Sequence, residues 1–233
     1  MKPRYVHLSP RLEAALELLQ DSHTVADIGC DHGRLTAVLL QRQVCARVIA
    51  SDISVESLQK ARDLIGYIGL SEFVSFRAGS GLSVFREGEC DAIAILGMGG
   101  TLMTRILDAA EVPLNGANSI VLQPMRAQSD IRSYLHQNCY RITDDRIVRE
   151  GMRLYQILRA VPDHAVQPIP KDWPESFYEV GFVSYEKKDP LLAELIDSQL
   201  KQHTSRLKTA KGTPGETTLR KKIEALLQIR SLL

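Results

Sequence analysis

Residues 24–33 read Thr-Val-Ala-Asp-Ile-Gly-Cys-Asp-His-Gly. Val25, Ala26 and Ile28 form a short apolar run, as a buried parallel strand requires, and two glycines close it. Gly29 and Gly33 let the backbone turn sharply and approach a ligand closely, because no Cβ stands in the way. Residues 34–41 then read as a helix, which aims the loop's N–H groups at whatever lies above the strand end. The spacing differs from both common phosphate loops. No G-x-G-x-x-G opens the helix, and no Gly-Lys-Ser/Thr follows.

Outward from this stretch the pattern repeats. Ser9-Pro10 suits a helix start, with Ser as the cap, and Leu12, Ala15, Leu16 and Leu19 share one face. Residues 44–51 form a second strand ending at Asp52, about twenty residues after the glycine loop, where doubly wound folds place an acid for ribose hydroxyls. Ser54 caps the next helix, whose buried stripe is Val55, Leu58, Ala61, Leu64 and Ile65. A third strand at 73–77 leads to Gly79-Ser80-Gly81-Leu82, and a fourth at 90–96 ends in Gly97-Met98-Gly99-Gly100. A helix over 101–110, a strand over 119–122 closed by Gln123-Pro124, and a helix over 129–138 follow. Strands at 140–149 and 153–160 flank the turn at Glu150-Gly151. Alternating β and α elements predict a parallel sheet with right-handed crossovers, and the closing hairpin predicts one reversed strand. Each special residue lies at a strand's carboxyl end, where open α/β sheets bind ligands.

The 233 residues suffice for an α/β domain of roughly 150 residues plus an appendage. With a net charge of +1, any nucleic-acid surface must come from local clustering rather than overall balance. Cys30, Cys45, Cys90 and Cys139 are scattered, which predicts reduced thiols and no zinc knuckle. His7, His23, His32, His136, His164 and His203 show no ligand spacing, so no metal is expected. No apolar leader and no run of about 18 apolar residues occurs, which predicts a cytoplasmic protein without a membrane span. Residues 163–174 are proline-rich and lack a period, as a linker should. Beyond them, Leu192, Ile196, Leu200, His203 and Leu207 share one helical stripe, and Leu219, Ile223, Leu226, Arg230 and Leu233 another, with a break at 211–215. Two helices folding back on each other are predicted, paired within one chain or between two, so monomer and homodimer both fit. From Ile196 onward eight Lys/Arg face three acids, an excess that suits a phosphate backbone. The chain thus divides into residues 1–162, carrying the sheet, and residues 163–233, a helical appendage with Lys208, Lys221 and Lys222 as candidate RNA contacts.

An acid at the strand end followed by G-x-x-x-G resembles the S-adenosyl-L-methionine (SAM) methyltransferases, whose ligand lacks the pyrophosphate that Asp27 would repel. More specifically, the chain resembles the bacterial tRNA (adenine-22-N1)-methyltransferases. The likeness rests on residues 8–12, Leu-Ser-Pro-Arg-Leu; on Asp27 to Gly33; and on Ala94-Ile95-Leu96-Gly97-Met98-Gly99-Gly100. Leu122-Gln123-Pro124, Arg132, Leu135 and the hairpin at 150–157 add to it, and it covers about the first 160 residues. It implies a Rossmann-like, seven-stranded class I methyltransferase sheet, a coiled-coil-like C-terminal domain, SAM as cofactor and tRNA as partner. Asp27 and Gly29 would face the methionine moiety, Asp52 the ribose, and Ser80 and Gly81 the adenine ring. Cys30, Gly33, Ile53, Gly79, Gly97 and Met98 complete the expected cofactor site. One position departs from the family, which carries Gly-Asp-Gly-Leu where this chain has Ser80. A hydroxyl accepts a hydrogen bond there without charge assistance.

Adenine N1 has its own lone pair, so the implied enzyme must place two reactants in line and exclude water. The base must also leave its stack. Methylation makes the ring cationic, and Asp31 is the candidate carboxylate to meet that charge, with His32 beside it. Gly99 and Gly100 would leave room for the flat base, and Gln123, Pro124 and Arg126 would line its approach. The rival readings are a SAM methyltransferase for another RNA or a small-molecule acceptor, and a SAM-binding interaction protein without catalysis.

Overall fold

The computed structural model describes residues 5–110, 113–163 and 177–233. Its helices and strands alternate: α1 (Pro10–Glu17), β1 (Thr24–Ile28), α2 (Arg34–Gln41), β2 (Arg47–Asp52), α3 (Val55–Tyr67) and β3 (Val74–Ala78). β4 (Ala92–Met98), α4 (Gly100–Asp108), β5 (Ser119–Pro124), α5 (Gln128–Gln137), β6 (Tyr140–Glu150) and β7 (Arg153–Pro162) follow. The seven strands lie in the order β3-β2-β1-β4-β5-β7-β6. β1 to β5 pair in parallel, whereas β7 runs antiparallel to both β5 and β6. This is the predicted sheet with one reversed strand. β5 is buried at all six positions, as a continuous apolar run in mid-sheet should be.

Helices cover both faces. Leu16, Leu19, Leu39 and Leu58 from α1, α2, α3 and the turn after α1 pack with Val25, Val48 and Ala94 on one side. Met103, Leu107, Ile131 and Leu135 from α4 and α5 pack with Ile28, Ile93 and Ile120 on the other. Ser54 caps α3 as expected, its Oγ accepting from Ser57 N at 3.2 Å. Ser9 does not cap α1: it holds the N-cap position in extended conformation, yet its hydroxyl makes no cap bond and is buried without a partner among the described residues.

Past the sheet, α6 (Phe177–Val180) and α7 (Phe182–Glu186) are two short helices absent from the sequence reading, and of the stretch 163–174 only Asp163 lies among the described residues. α8 (Leu192–Thr209) and α9 (Pro214–Arg230) form the helical hairpin. Its base is buried: Leu192, Leu195, Ile196, Leu226 and Ile229 pack with Phe177, Val180 and Ile147 of β6. The α9 stripe differs from expectation at its end, since Ile229 is the buried residue while Arg230 and Leu233 are exposed. Arg230 instead donates Nε to Asp197 Oδ1 at 2.9 Å, closing the hairpin from outside.

Arg132 ties this tail to the sheet. Its side chain is 1% exposed, and Nε and Nη2 each meet a carboxylate oxygen of Asp145 at 3.0 Å. Nη2 also reaches Gln156 Oε1 at 2.6 Å, and Nη1 reaches the Tyr178 carbonyl at 3.1 Å. One guanidinium thus joins α5, β6, β7 and α6. Gly181 lets the next helix approach: a Cβ there would fall 1.9 Å from Asp145 Oδ2, at φ +87°. Removing one partner of such a pair strands a buried charge. Arg132→Ala is therefore expected to cost about 3–5 kcal/mol, read from urea unfolding monitored at the single tryptophan and by far-UV dichroism. A loss under about 1 kcal/mol would show that the pair does not hold the tail.

Candidate active site

A cleft of about 800 Å³ runs along the carboxyl edge of the parallel strands. Asp27, Gly29 and Cys30 line it from β1 and the following turn, Asp52 and Ile53 from β2, Gly79, Ser80 and Gly81 from β3, and Gly97 and Met98 from β4. Asp31 and His32 stand at its rim. Most of the sequence-predicted cofactor residues therefore meet in one cavity. Gly33 does not line it. Its φ of +70° begins α2, and a Cβ would lie 2.9 Å from that of Ala61, so this glycine lets α2 approach α3.

The turn after β1 is built from backbone. Gly29 and Cys30 donate their N–H groups to the Ser51 carbonyl at 2.8 and 3.0 Å, which fixes the turn to the end of β2. Asp31 (φ +49°) donates its N–H to Asp52 Oδ2 at 3.1 Å, and Ser54 N donates to Asp52 Oδ1 at 2.8 Å. Each Asp52 oxygen accepts one of these bonds and keeps a lone pair for a ligand hydroxyl. Ile53, 77% exposed, offers an apolar surface beside it. A Cβ at Gly97 (φ +77°) would meet nothing within 4 Å, so the end of β4 faces open cleft. The Met98 methyl folds over Gly29, 2.2 Å from where a Cβ would sit. An acid, an exposed apolar side chain, the Ser80 hydroxyl and a side-chain-free strand end fit a nucleoside joined to an amino acid.

Asp27 lies beneath this cleft, buried, with Oδ2 accepting from the Thr36 hydroxyl at 2.7 Å. Burial pushes its carboxyl up to about 6, against the pull of the Thr36 bond. Burial, with Asp27 and Asp52 nearby, also pushes the Cys30 thiol well up, which keeps it protonated and a packing group. The Asp31 side chain is 74% exposed and lies 3.5 Å from His32 Nε2. Its backbone bond to Asp52 sets it on the cofactor side of the cleft.

The expected acceptor residues fare unevenly. Gly99 and Gly100 do not line the cleft: Gly99 lies against Arg126, and a Cβ at Gly100 would fall 2.1 Å from the Ala127 carbonyl oxygen. Those glycines let α4 start against the loop after β5, and Gly97 alone supplies the open space. Gln123 is fully buried, and its Oε1 accepts from Gly97 N at 3.2 Å and Arg11 Nη1 at 3.1 Å. It sets the backbone of the β4 end rather than meeting a substrate. Pro124 is likewise buried at the end of β5, and Arg126 is exposed on the loop that follows. Lys208 and Lys221 are exposed, but Lys222 is half-buried and donates to Glu179 Oε1 at 2.7 Å, holding α9 to α6.

Several cleft residues escaped the sequence reading as site residues, among them Ser9 and Arg11 from α1 and its N-cap, Leu102 from α4, and Glu150 from the end of β6. Arg11 and Glu150 fall within segments that carried the family resemblance. No spacing rule joins them, because their contact spans 139 residues of sequence.

A profile described as a methyltransferase domain matches residues 8–158. The chain is 35% identical over 153 residues to the tRNA (adenine(22)-N(1))-methyltransferase of Bacillus subtilis, a match spanning 66% of this chain and 64% of that protein. The crystal structure of the B. subtilis m1A22 tRNA methyltransferase superposes with a TM-score of 0.79 at 26% identity, covering 98% of this chain and 97% of that one. A putative tRNA (m1A22) methyltransferase from Streptococcus pneumoniae, solved with S-adenosyl-L-methionine, superposes with a TM-score of 0.82 at 24% identity, covering 94% and 98% of the two chains, a likeness of fold.

The raised carboxyl of Asp27 has a thermodynamic signature. The native protein keeps this proton to higher pH than the unfolded chain, so stability is lost as pH rises from 3.8 to about 6 and is flat above. Asp27→Asn removes that slope. Its stability relative to the parent is expected to grow by about 3 kcal/mol across that window in urea titrations at about pH 4, 6 and 8. A pH-independent difference would place the raised proton elsewhere.

Proposed function

Because this chain belongs to the methyltransferase-domain family, we propose that it transfers a methyl group from S-adenosyl-L-methionine to N1 of adenine 22 in tRNA. The observation that carries this reading is the convergence of Asp27, Asp52, Ser80 and the open face of Gly97 on one cleft at the carboxyl edge. When bound, SAM supplies an electrophilic methyl group. Asp27 would face its ammonium-bearing end, Asp52 would hold the ribose hydroxyls, and Ser80 with Ile53 would hold the adenine. Gln123 fixes the Gly97 backbone where the acceptor base enters. Asp31 and His32, at the rim, orient the base by its polar edge.

Residues 1–162 form the catalytic unit in this proposal, and residues 163–233 the tRNA-contacting appendage of a cytoplasmic enzyme. Of the eight positive side chains from Ile196 onward, three are held by carboxylates: Arg220 by Glu216, Lys222 by Glu179 and Arg230 by Asp197. Lys201, Arg206, Lys208, Lys211 and Lys221 meet no carboxylate among the described residues. They supply a phosphate-binding stripe on a hairpin anchored at its base. α9 passes beside the start of α5, where Lys222 Nζ lies 3.4 Å from Ser129 Oγ, so the hairpin rises next to the loop carrying Arg126.

The direct test uses labelled SAM and tRNA transcripts with adenine or guanine at position 22, followed by nucleoside mass spectrometry. 1-Methyladenosine confined to the adenine-22 transcripts is the expected result. Label in another nucleotide would replace the acceptor, and SAM binding without transfer would remove the enzymatic reading. Asp31→Ala is expected to retain SAM binding and lose most turnover, and full activity would remove its role. Charge reversal at Lys208, Lys211 and Lys221 together is expected to weaken tRNA binding and flatten its salt dependence by about three counterions while sparing SAM affinity. An unchanged salt slope would place the tRNA elsewhere.

A further inference from the structure

We propose that Glu150, held in place by Arg11, is the carboxylate that meets the positive charge gained by the acceptor base, an inference resting on the methyltransferase reading above. The order of strands divides the cleft. Ser80 after β3, Asp52 at the end of β2 and Asp27 near the end of β1 mark one half of the edge, while Gln123 near the end of β5 and Glu150 at the end of β6 mark the other. Gly97, at the end of β4, stands between the halves. Glu150 lines the same cleft as the cofactor residues from its far end.

Arg11 builds that end. Its Nη1 donates to Gln123 Oε1 at 3.1 Å, and its guanidinium lies 5.3 Å from the centre of the Tyr155 ring on β7. Its backbone N–H donates to Glu150 Oε2 at 3.3 Å, and its Nε lies 3.5 Å from the same oxygen. Both approaches use Oε2, so Oε1 has no donor among the described residues. Among the described residues, buried Arg11 Nε has no hydrogen-bond partner, its ion-pair contact with Oε2 being no hydrogen bond, and the neighbouring Ser9 Oγ has none either. The two side chains are 26% and 28% exposed. Two buried polar groups with unused bonding capacity, Arg11 Nε and Ser9 Oγ, thus stand beside the open Oε1 of Glu150 at the end of the cleft away from the cofactor residues. Packing alone leaves that capacity unexplained.

The chemistry makes the side matter. The N1 lone pair forms the bond to the methyl carbon as the carbon–sulfur bond breaks, and that bond's electron pair goes to sulfur. No proton moves, and the positive charge passes from sulfur to the purine. Asp27 and Asp52 stabilise the charge where it disappears, so they favour binding over transfer. A carboxylate beyond β4 stabilises it where it arises, which favours the transition state. Arg11 balances Glu150 before the base arrives and leaves Oε1 for the acceptor.

Glu150→Gln keeps the shape and removes the charge. The expected result is a roughly 10- to 100-fold fall in kcat for tRNA methylation, with KM for tRNA and SAM affinity within about twofold, and partial recovery in Glu150→Asp. A second readout does not need turnover. With S-adenosylhomocysteine present, calorimetry compares adenosine monophosphate with cationic 1-methyladenosine monophosphate. The parent protein is expected to prefer the cation about tenfold, and Glu150→Gln to lose that preference. Unchanged kcat in Glu150→Gln, or equal binding of the two nucleotides by the parent, overturns the inference. A parent protein that leaves adenine-22 transcripts unlabelled overturns the proposed acceptor instead, and the nucleotide preference still decides the role of Glu150.

Discussion

The buried guanidinium of Arg132 is the contact on which the two parts of the molecule depend. The parallel strands are stabilised by apolar burial on both faces and need no further device. The tail has only a small cluster of its own, centred on Ile196, Leu226 and Ile229. Its alignment with the sheet comes from a side chain that bonds α5, β6, β7 and α6 at once. A charged pair at 1% exposure gains little net energy over apolar packing, because desolvation offsets the attraction. It does penalise every arrangement in which one partner is left alone. The result is geometry: Tyr178, Gly181 and Ser184 are held at fixed positions over β6, and α8 and α9 inherit that placement.

A second constraint is the order of the strands. Parallel β1 to β5 put all their carboxyl ends on one edge, so residues far apart in sequence share a cleft. The reversal of β7 brings the end of β6 to the same edge, beside the start of the protein's first helix. In the proposed reading the cleft has a cofactor half made by consecutive βα turns and an acceptor half made by long-range contacts. The acids differ accordingly. Asp27 is buried and hydrogen-bonded by Thr36, Asp52 is held by two backbone N–H groups, and Glu150 is held by an arginine.

This division explains what was legible in the sequence. The cofactor half is a local matter: strand, glycine turn and helix adjoin, so Gly29 and Asp52 can be read from spacing, and Asp27 and Ser80 from the resemblance that those turns carry. The fold follows from the same alternation. The acceptor half is not local. Nothing near Gln123 announces that its amide is aimed at Gly97 N, nor anything near Gly100 that its missing Cβ makes room for the Ala127 carbonyl. Lys222 reads as one more surface lysine until α6, a helix of four residues and too short for a periodic signal, supplies Glu179. The α9 stripe shifted from Arg230 to Ile229 because partner packing, not spacing alone, selects among adjacent candidates.

The participation of Arg11 in the acceptor half bears on synthesis. A chain made from its N-terminus has every cofactor-side residue by Met98, and those strands can pair as they emerge. The first helix is made before any of them, yet its partners Gln123 and Glu150 come more than a hundred residues later. Until β6 is complete, Arg11 is a cation without its carboxylate, on a helix whose strand partners β5, β6 and β7 are themselves made late. The nascent protein thus acquires a nucleotide-shaped half-site well before it acquires the half that chooses what to modify.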